Sequence, residues 1–349
     1  MSGNHTAPPS GSRPRRRRGS HLLFAAALVA SGGGLVACQD GGGDASCVAS
    51  SGTVRTELDA AEVAGPQFSA DGGHLLAEQD GKLVVIDAAT GKVAGRISGT
   101  GRRDFEALSD GGTSVAAYGL DGGSALHRTG VWETASGKEA QTLVEQGGTE
   151  VAGLAVSPDG KQVATATGTG VHLWDVRTGR LTGDLKVDGG SGTVAFAPDG
   201  KLLAATGSGG KLLLWDTATG KAQGEVDSGR DSVTSIAVSP DGKYVAALEE
   251  SGPVTAVEVA TGRQVAVVPA SGFVAGMAFG SDSSTIVTTS SDAKASRTGL
   301  ADGKAVRTFE VCAPYRTSDL MVVPGGAALV GLEKTADGSG YELVTFAVP

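Results

Sequence analysis

The sequence predicts an all-β protein, a seven-bladed β-propeller, from two series of tight turns that recur in phase along the chain. In the first series a glycine follows Thr, Ser or Asp and precedes Lys or Arg, directly after a strand-like run. Intervals of 41 to 46 residues separate six such glycines, which are Gly91, Gly137, Gly179, Gly220, Gly262 and Gly303. A period near forty residues is typical of propellers, in which each repeat is a four-stranded blade that cannot bury its faces alone.

The second series consists of Ser-Pro-Asp-Gly-Lys turns, seen in full at residues 157–161. Proline presets the backbone, aspartate bonds to its own turn, and glycine takes the left-handed position of a hairpin. The same turn recurs in full at residues 239–243, and variants of it occur at 69–73, 109–112, 197–201, 280–283 and 323–326. Seven first turns predict seven blades, and the best-defined repeat predicts strands near 150–156, 162–166, 171–175 and 181–185.

The two series differ by one turn, which leaves the last blade one strand short. The chain ends in a strand-like run at 341–348 with no turn after it. Residues 52–58 resemble the outer strand of blade six, 302–310, and we expect them to complete blade seven. An N-terminal strand in the last blade would close the ring and leave no major edge unpaired between the first and last blades.

The N-terminus carries a targeting signal that lies outside the predicted fold. A basic run, Arg15 to Arg18, precedes an apolar stretch at 21–30 that is too short to span a bilayer. Leu35-Val36-Ala37-Cys38 resembles a bacterial lipobox, which implies cleavage before Cys38 and a diacylglycerol on its thiol. An ordinary secretory signal is the alternative. The expected organisation is a removed signal peptide at 1–37, a lipidated cysteine and Gly-rich tether at 38–50, and the propeller at 51–349.

The negative charge of the chain argues against nucleic acids as partners and against attachment to anionic lipids by charge. Residues 1–37 contain five Arg and no Lys, Asp or Glu, so the net charge falls from −9 in the whole chain to −14 after their removal. Nucleic acids are bound by clustered Lys and Arg, which an acidic chain lacks. Membrane attachment is expected through the lipid anchor only, on the extracytoplasmic side of a bacterial cell membrane.

Cysteine and histidine usage gives one disulfide candidate and no metal site. Cys47 and Cys312 remain after Cys38 is lipidated, and an oxidising compartment favours a bond between them. The sequence contains no H-x-x-H, H-E-x-x-H or C-x-x-C spacing, no nucleophile elbow and no dinucleotide fingerprint. We therefore expect no metal, no cofactor and no catalytic residues.

The three tryptophans share one position in their repeats. Trp132, Trp174 and Trp215 each lie five residues before a turn glycine, and Ile86 and Val257 fill that place in blades one and five. An aromatic ring repeated in register within a strand is expected to pack between adjacent sheets.

The Leu-Trp-Asp runs at 173–175 and 214–216, with their Ser/Ala-Pro-Asp-Gly-Lys turns upstream, resemble the WD-repeat propeller family. The resemblance covers about residues 51–349 and implies a protein- or peptide-binding role without catalysis. Family members carry a Gly-His pair and a loop aspartate that form a tetrad with Ser or Thr and the Trp. Here the Gly-His pair is missing and Asp80 fits the loop position, so we expect no intact tetrad in any blade.

Binding residues are expected on the loop rim, the face that carries the loops between second and third strands and the connections between blades. The longest loop is predicted at 118–130. The candidates are Arg102, Arg103, His127, Arg128, Arg230, Glu249, Glu250, Tyr315 and Arg316. A purely solubilising role for these loops is the alternative.

The sequence thus favours a monomeric, non-catalytic module that binds an unidentified protein or peptide, or serves as a scaffold. A propeller enzyme of the lactonase or sugar dehydrogenase kind is one alternative. It would need His, Arg and acidic side chains converging at the central channel. An extracytoplasmic sensor domain is another.

Overall fold

The computed structural model describes residues 35–37, 46–48, 50–58, 63–69, 71–98, 102–120, 127–145, 149–228, 233–249, 252–268, 274–290, 294–301, 304–311 and 320–348. These residues form thirty β-strands, two short 3-10 turns and no α-helix. The predicted all-β class is therefore confirmed.

The strands follow in chain order. The first eleven are β1 Leu35–Ala37, β2 Ser46–Val48, β3 Gly52–Arg55, β4 Val63–Phe68, β5 His74–Gln79, β6 Lys82–Asp87, β7 Val93–Ile97, β8 Arg102–Leu108, β9 Ser114–Leu120, β10 His127–Glu133 and β11 Glu139–Leu143. The next eight are β12 Val151–Val156, β13 Gln162–Thr167, β14 Gly170–Asp175, β15 Arg180–Lys186, β16 Val194–Phe196, β17 Leu202–Thr206, β18 Lys211–Asp216 and β19 Ala222–Asp227. The last eleven are β20 Val233–Val238, β21 Tyr244–Glu249, β22 Val254–Glu258, β23 Gln264–Val268, β24 Val274–Phe279, β25 Thr285–Ser290, β26 Lys294–Gly299, β27 Ala305–Val311, β28 Leu320–Val322, β29 Ala328–Lys334 and β30 Tyr341–Ala347.

Seven separate sheets form the seven predicted blades. Blades one to five consist of β4–β7, β8–β11, β12–β15, β16–β19 and β20–β23, and blade six is built on β24–β27. Successive strands of a blade are antiparallel, so the first and third turns of every blade lie on one face, here called the turn face. The loop rim is the opposite face.

Blade seven closes the ring as predicted. Its strand order is β28-β29-β30-β3, and β3 pairs with β30 from Gly52 opposite Thr345 to Arg55 opposite Glu342. Beyond the strand, the N–H of Thr56 donates to the carbonyl of Tyr341 over 2.8 Å. A single β-carbon added to Gly91, the turn glycine of blade one, would lie 2.1 Å from the Arg55 carbonyl oxygen. Glycine at that turn therefore lets blade one approach the closing strand.

Blade six carries two additional strands from the N-terminus. β2 pairs in parallel with β27, with Cys47 opposite Glu310, and β1 pairs with β2. β2 lies in the predicted tether and β1 in the predicted signal peptide, and neither strand was predicted from the sequence. Cys38 and Cys312 lie outside the described residues, so lipidation and the Cys47–Cys312 disulfide stay predictions.

The turns are held by the side chains that predicted them. In blade three, Asp159 accepts a hydrogen bond from the Ser157 hydroxyl at 2.8 Å and another from the Lys161 N–H at 3.1 Å. In the third turn, Asp175 accepts from both the hydroxyl and the N–H of Thr178, which lowers the pKa of its carboxyl. The same Asp–Thr pattern recurs in blades one and four.

Buried side chains form clusters between neighbouring blades. Trp132 packs between blades one and two, Trp174 between two and three, and Trp215 between three and four, which confirms their predicted packing role. The tryptophans occupy one position of the third strand, and in every blade this position lies opposite an aliphatic residue of the second strand. Its occupants are Ile86, Trp132, Trp174, Trp215, Val257, Thr298 and Phe346.

No helix in the part of the chain that the structure describes has the length and apolar character needed to cross a membrane.

Candidate binding site on the loop rim

Three of the nine rim candidates have described side chains. Arg103, Arg128 and Glu249 are in strands β8, β10 and β21. Arg102 begins β8 and His127 begins β10, where only the backbone is described. The remaining candidates lie outside the described residues, and they are Arg230, Glu250, Tyr315 and Arg316.

The loop predicted at 118–130 is much shorter than expected. Strands β9 and β10 remain paired as far as Leu120 opposite His127, so only residues 121–126 lie between them. The polar and glycine-rich composition of this segment resembled a loop, whereas backbone pairing continues through Gly119 and Arg128. His127 is therefore a strand residue.

Arg103 is held within the protein. Its side chain is 4% exposed and lies 2.5 Å from Glu78 and 3.8 Å from Glu106, measured between guanidinium nitrogen and carboxylate oxygen. It also donates to the Gly81 carbonyl over 3.3 Å. Arg103 is thus a buried cation between two carboxylates, and it joins blade two to blade one. We infer a structural role for it instead of direct ligand binding.

Glu106 is the one described glutamate on this rim whose pKa is raised. Burial is the main cause, the neighbouring carboxylate of Glu78 adds to it, and the Arg103 guanidinium opposes both. A carboxyl whose pKa rises on folding prefers the protonated form in the native state. Its contribution to stability is therefore present at low pH and is lost as the pH rises through its folded-state pKa.

Arg128 is bound within its own blade. It forms an ion pair with Glu139 and donates to the Thr142 hydroxyl over 3.2 Å. Partial burial alone would raise the pKa of Glu139, but hydrogen bonds from Arg128 and Thr142 outweigh it and lower the pKa. This pair braces strand β10 against β11.

A buried polar network in blade three was not predicted. Trp174 Nε1 donates to the Thr165 hydroxyl at 3.0 Å, and that hydroxyl donates to one oxygen of Glu145 at 2.5 Å. The other Glu145 oxygen lies 2.5 Å from His172 Nδ1, and His172 Nε2 is 3.7 Å from Asp184. Glu145, from the connection after blade two, joins this Trp–Thr pair to His172. The side chain of His172 is 12% exposed.

No pattern in the sequence predicts the whole of this network. His172 and Trp174 alternate on β14, so they share a face. Glu145 is twenty residues from Thr165 and twenty-seven from His172, and no turn or repeat fixes those separations.

An exposed part of the rim lies where blades two and three begin. A β-bulge between Arg103 and Phe105 interrupts the pairing at Asp104, which is exposed. The Phe105 ring is 36% exposed and lies 6.4 Å from the buried Tyr118 ring, centroid to centroid. Burial raises the pKa of the Tyr118 hydroxyl, and the nearby carboxylates of Glu150 and Asp104 raise it further. We call Asp104, Phe105 and Glu150 the rim patch.

The geometry defines a β-propeller with an acidic patch around an exposed aromatic ring. Among the described residues, no three His, Cys, Asp or Glu side chains are grouped as metal ligands would be. The sequence matches the family model described as outer membrane protein assembly factor BamB, over residues 15–265 and again over 107–309. The chain belongs to this family. No curated protein matches the sequence closely enough to be named as a relative.

Replacing Thr165 by valine is expected to lower the free energy of unfolding by about 1–3 kcal/mol, because Trp174 Nε1 and Glu145 both lose a buried partner. Thr165→Ser keeps the hydroxyl and loses only a methyl group, about 1 kcal/mol. Urea unfolding of both variants measures the difference. No loss of stability in Thr165→Val would show that the hydroxyl contributes nothing.

Glu106→Gln removes a carboxyl whose ionisation is less favourable in the folded state than in the unfolded state. Over a pH series that passes through the folded-state pKa of Glu106, the variant should gain stability relative to the native protein as the pH rises. In that range the folded native protein gives up a proton that its unfolded chain has already lost. Thermal unfolding across this pH series tests it. A difference in stability between Glu106→Gln and the native protein that stays constant with pH would contradict the prediction.

Proposed function

We propose that this chain is a non-catalytic binding module, tethered to the membrane by a lipid on Cys38, that holds a protein or peptide segment on its loop rim. The lipobox resemblance supports the anchor and the extracytoplasmic location. The family description, an outer membrane protein assembly factor, supports a partner that is itself a protein. The WD-repeat likeness of blades three and four supports the same role.

The rim patch is the observation that carries the binding proposal. Phe105 presents an exposed aromatic ring at the rim, and aromatic side chains are enriched at protein interfaces. Asp104 and Glu150 are exposed around it, so the patch is acidic. A peptide segment with a basic residue next to an apolar one complements both features.

An enzyme remains the second candidate, and one observation favours it. Glu106 combines a raised pKa with an adjacent arginine on the same rim, which is the kind of perturbed carboxyl that general acids need. An enzyme would need further charged side chains near Glu106. The β-bulges in the first strands of the other blades supply none among the described residues, since the bulged positions are uncharged, as at Ala152 and Thr234. The binding module is therefore the better-supported function.

A photo-crosslinking amino acid placed at position 105 should capture a discrete protein partner in intact cells, because the ring at this position is exposed within the rim patch. Leu181 is the matched control, since it is 38% exposed on the outer strand of blade three. Adducts should appear at position 105 and not at 181, and Asp104→Lys should weaken them. The same adducts from both positions would contradict the proposal.

Lipidation predicts that Cys38→Ser releases the protein from the membrane fraction, because one acyl-bearing residue supplies the attachment. Metabolic labelling with an alkyne fatty acid should mark the native chain and not the variant. Cys47→Ser is the control and should remain labelled and membrane-bound. Retention of unlabelled Cys38→Ser protein in the membrane fraction would rule out a lipid-only anchor.

A further inference from the structure

A cavity of about 400 Å³ lies at the turn face between blade seven and blade one. Its apolar wall includes Phe68 of blade one with Val330 and Leu343 of blade seven. First-turn residues of both blades border it, among them Asp71 and Pro324. The volume is within the range of small-molecule sites, about 300–1,000 Å³.

Two local features distinguish this corner from the interfaces of blades two to four. Blade one has Ile86 where blades two to four have tryptophan, so less volume fills this interface. The first turn of blade seven, at 323–326, has neither the aspartate nor the lysine of the Ser-Pro-Asp-Gly-Lys type. In blade three, by contrast, Lys161 Nζ lies 2.9 Å from Asp159 across that turn.

The charge of the lining is negative. It includes Asp71 and Asp87 together with His74, and it contains no lysine or arginine. Partial burial alone would raise the pKa of Asp87, but hydrogen bonds from the hydroxyl and N–H of Thr90 outweigh it, and the pKa is lowered. Both of those bonds end on Asp87 Oδ1. The ring of His74 packs over Gly112 of blade two, where an added β-carbon would lie 2.4 Å from it.

The carboxylates are fixed in place before any ligand arrives. Asp71 accepts hydrogen bonds from the N–H groups of Gly73 and Gly111, each at 3.0 Å. Thr345 also lines the cavity, is 1% exposed, and its hydroxyl oxygen has no hydrogen-bond partner among the described residues.

We propose that this cavity binds a small organic cation, with its apolar body between blades seven and one and its ammonium group beside Asp87. An apolar pocket with a few fixed polar groups is the usual form of a small-molecule site. A carboxylate that is partly removed from water attracts a cation more strongly than an exposed one does. The site is on the face opposite the rim patch, so it does not depend on the proposed protein partner.

Three indole compounds of similar size and different charge test the proposal on the purified mature chain. The probes are tryptamine (a cation), tryptophol (neutral) and indole-3-propionate (an anion). Titration calorimetry and ligand-observed NMR at low salt should show saturable binding of tryptamine, at least about tenfold weaker binding of tryptophol, and none of the anion. Equal binding of tryptamine and tryptophol, or no saturable binding of tryptamine, would overturn the proposal.

Matched variants locate the site. Asp87→Asn should weaken tryptamine binding about tenfold, the loss of one charge-assisted contact. Asp175→Asn changes the same turn position in blade three, where tryptophan fills the interface, and should leave affinity unchanged. Ala328→Leu fills the cavity and should abolish binding while thermal unfolding shows a folded chain. If Asp175→Asn weakens binding as much as Asp87→Asn does, the cavity is not the site.

Discussion

Packing between successive sheets is the interaction on which the rest of this structure depends. Each blade has two apolar faces, and a sheet can bury both only when it lies between two others. The repeated third-strand position makes these contacts, with Trp174 between blades two and three and Phe346 between blades six and seven. Because every blade needs two neighbours, the sheets must form a closed ring. The contact between blades seven and one is then as necessary as the other six.

The polar groups of the loop rim serve mainly to hold this ring together. Arg103 ties blade two to blade one, Arg128 braces its own blade, and Glu145 joins the connection after blade two to the tryptophan of blade three. Charged residues on loops are therefore a weak guide to binding in this fold. What distinguishes the rim patch is its exposed ring, Phe105, beside a bulge that interrupts the regular pairing.

The blades could be predicted from sequence because turn chemistry is local. Asp159 and Gly160 act within a few residues, and their recurrence counts the repeats. The closing strand was predicted from its likeness to another outer strand. The site was predicted less well, since Arg103, His127 and His172 depend on partners brought together by pairing and packing. Glu145 meets His172 across two strands, and the cavity at Asp87 arises where neighbouring blades both depart from the repeat. Neither the Glu145–His172 contact nor the cavity produces a periodic pattern in the sequence.

The closing strand also fixes the order in which the fold can be completed. Ser51 bonds to Thr345 across 294 positions, so one of the first segments to be synthesised pairs with one of the last. Until residue 345 leaves the ribosome, blade seven has no third strand and its neighbours keep an open side. A chain cut before residue 341 would therefore lack β30, and β3 would lose the strand with which it pairs. Such a product would expose sheet edges and apolar faces to quality-control proteases, although most of its blades were already made.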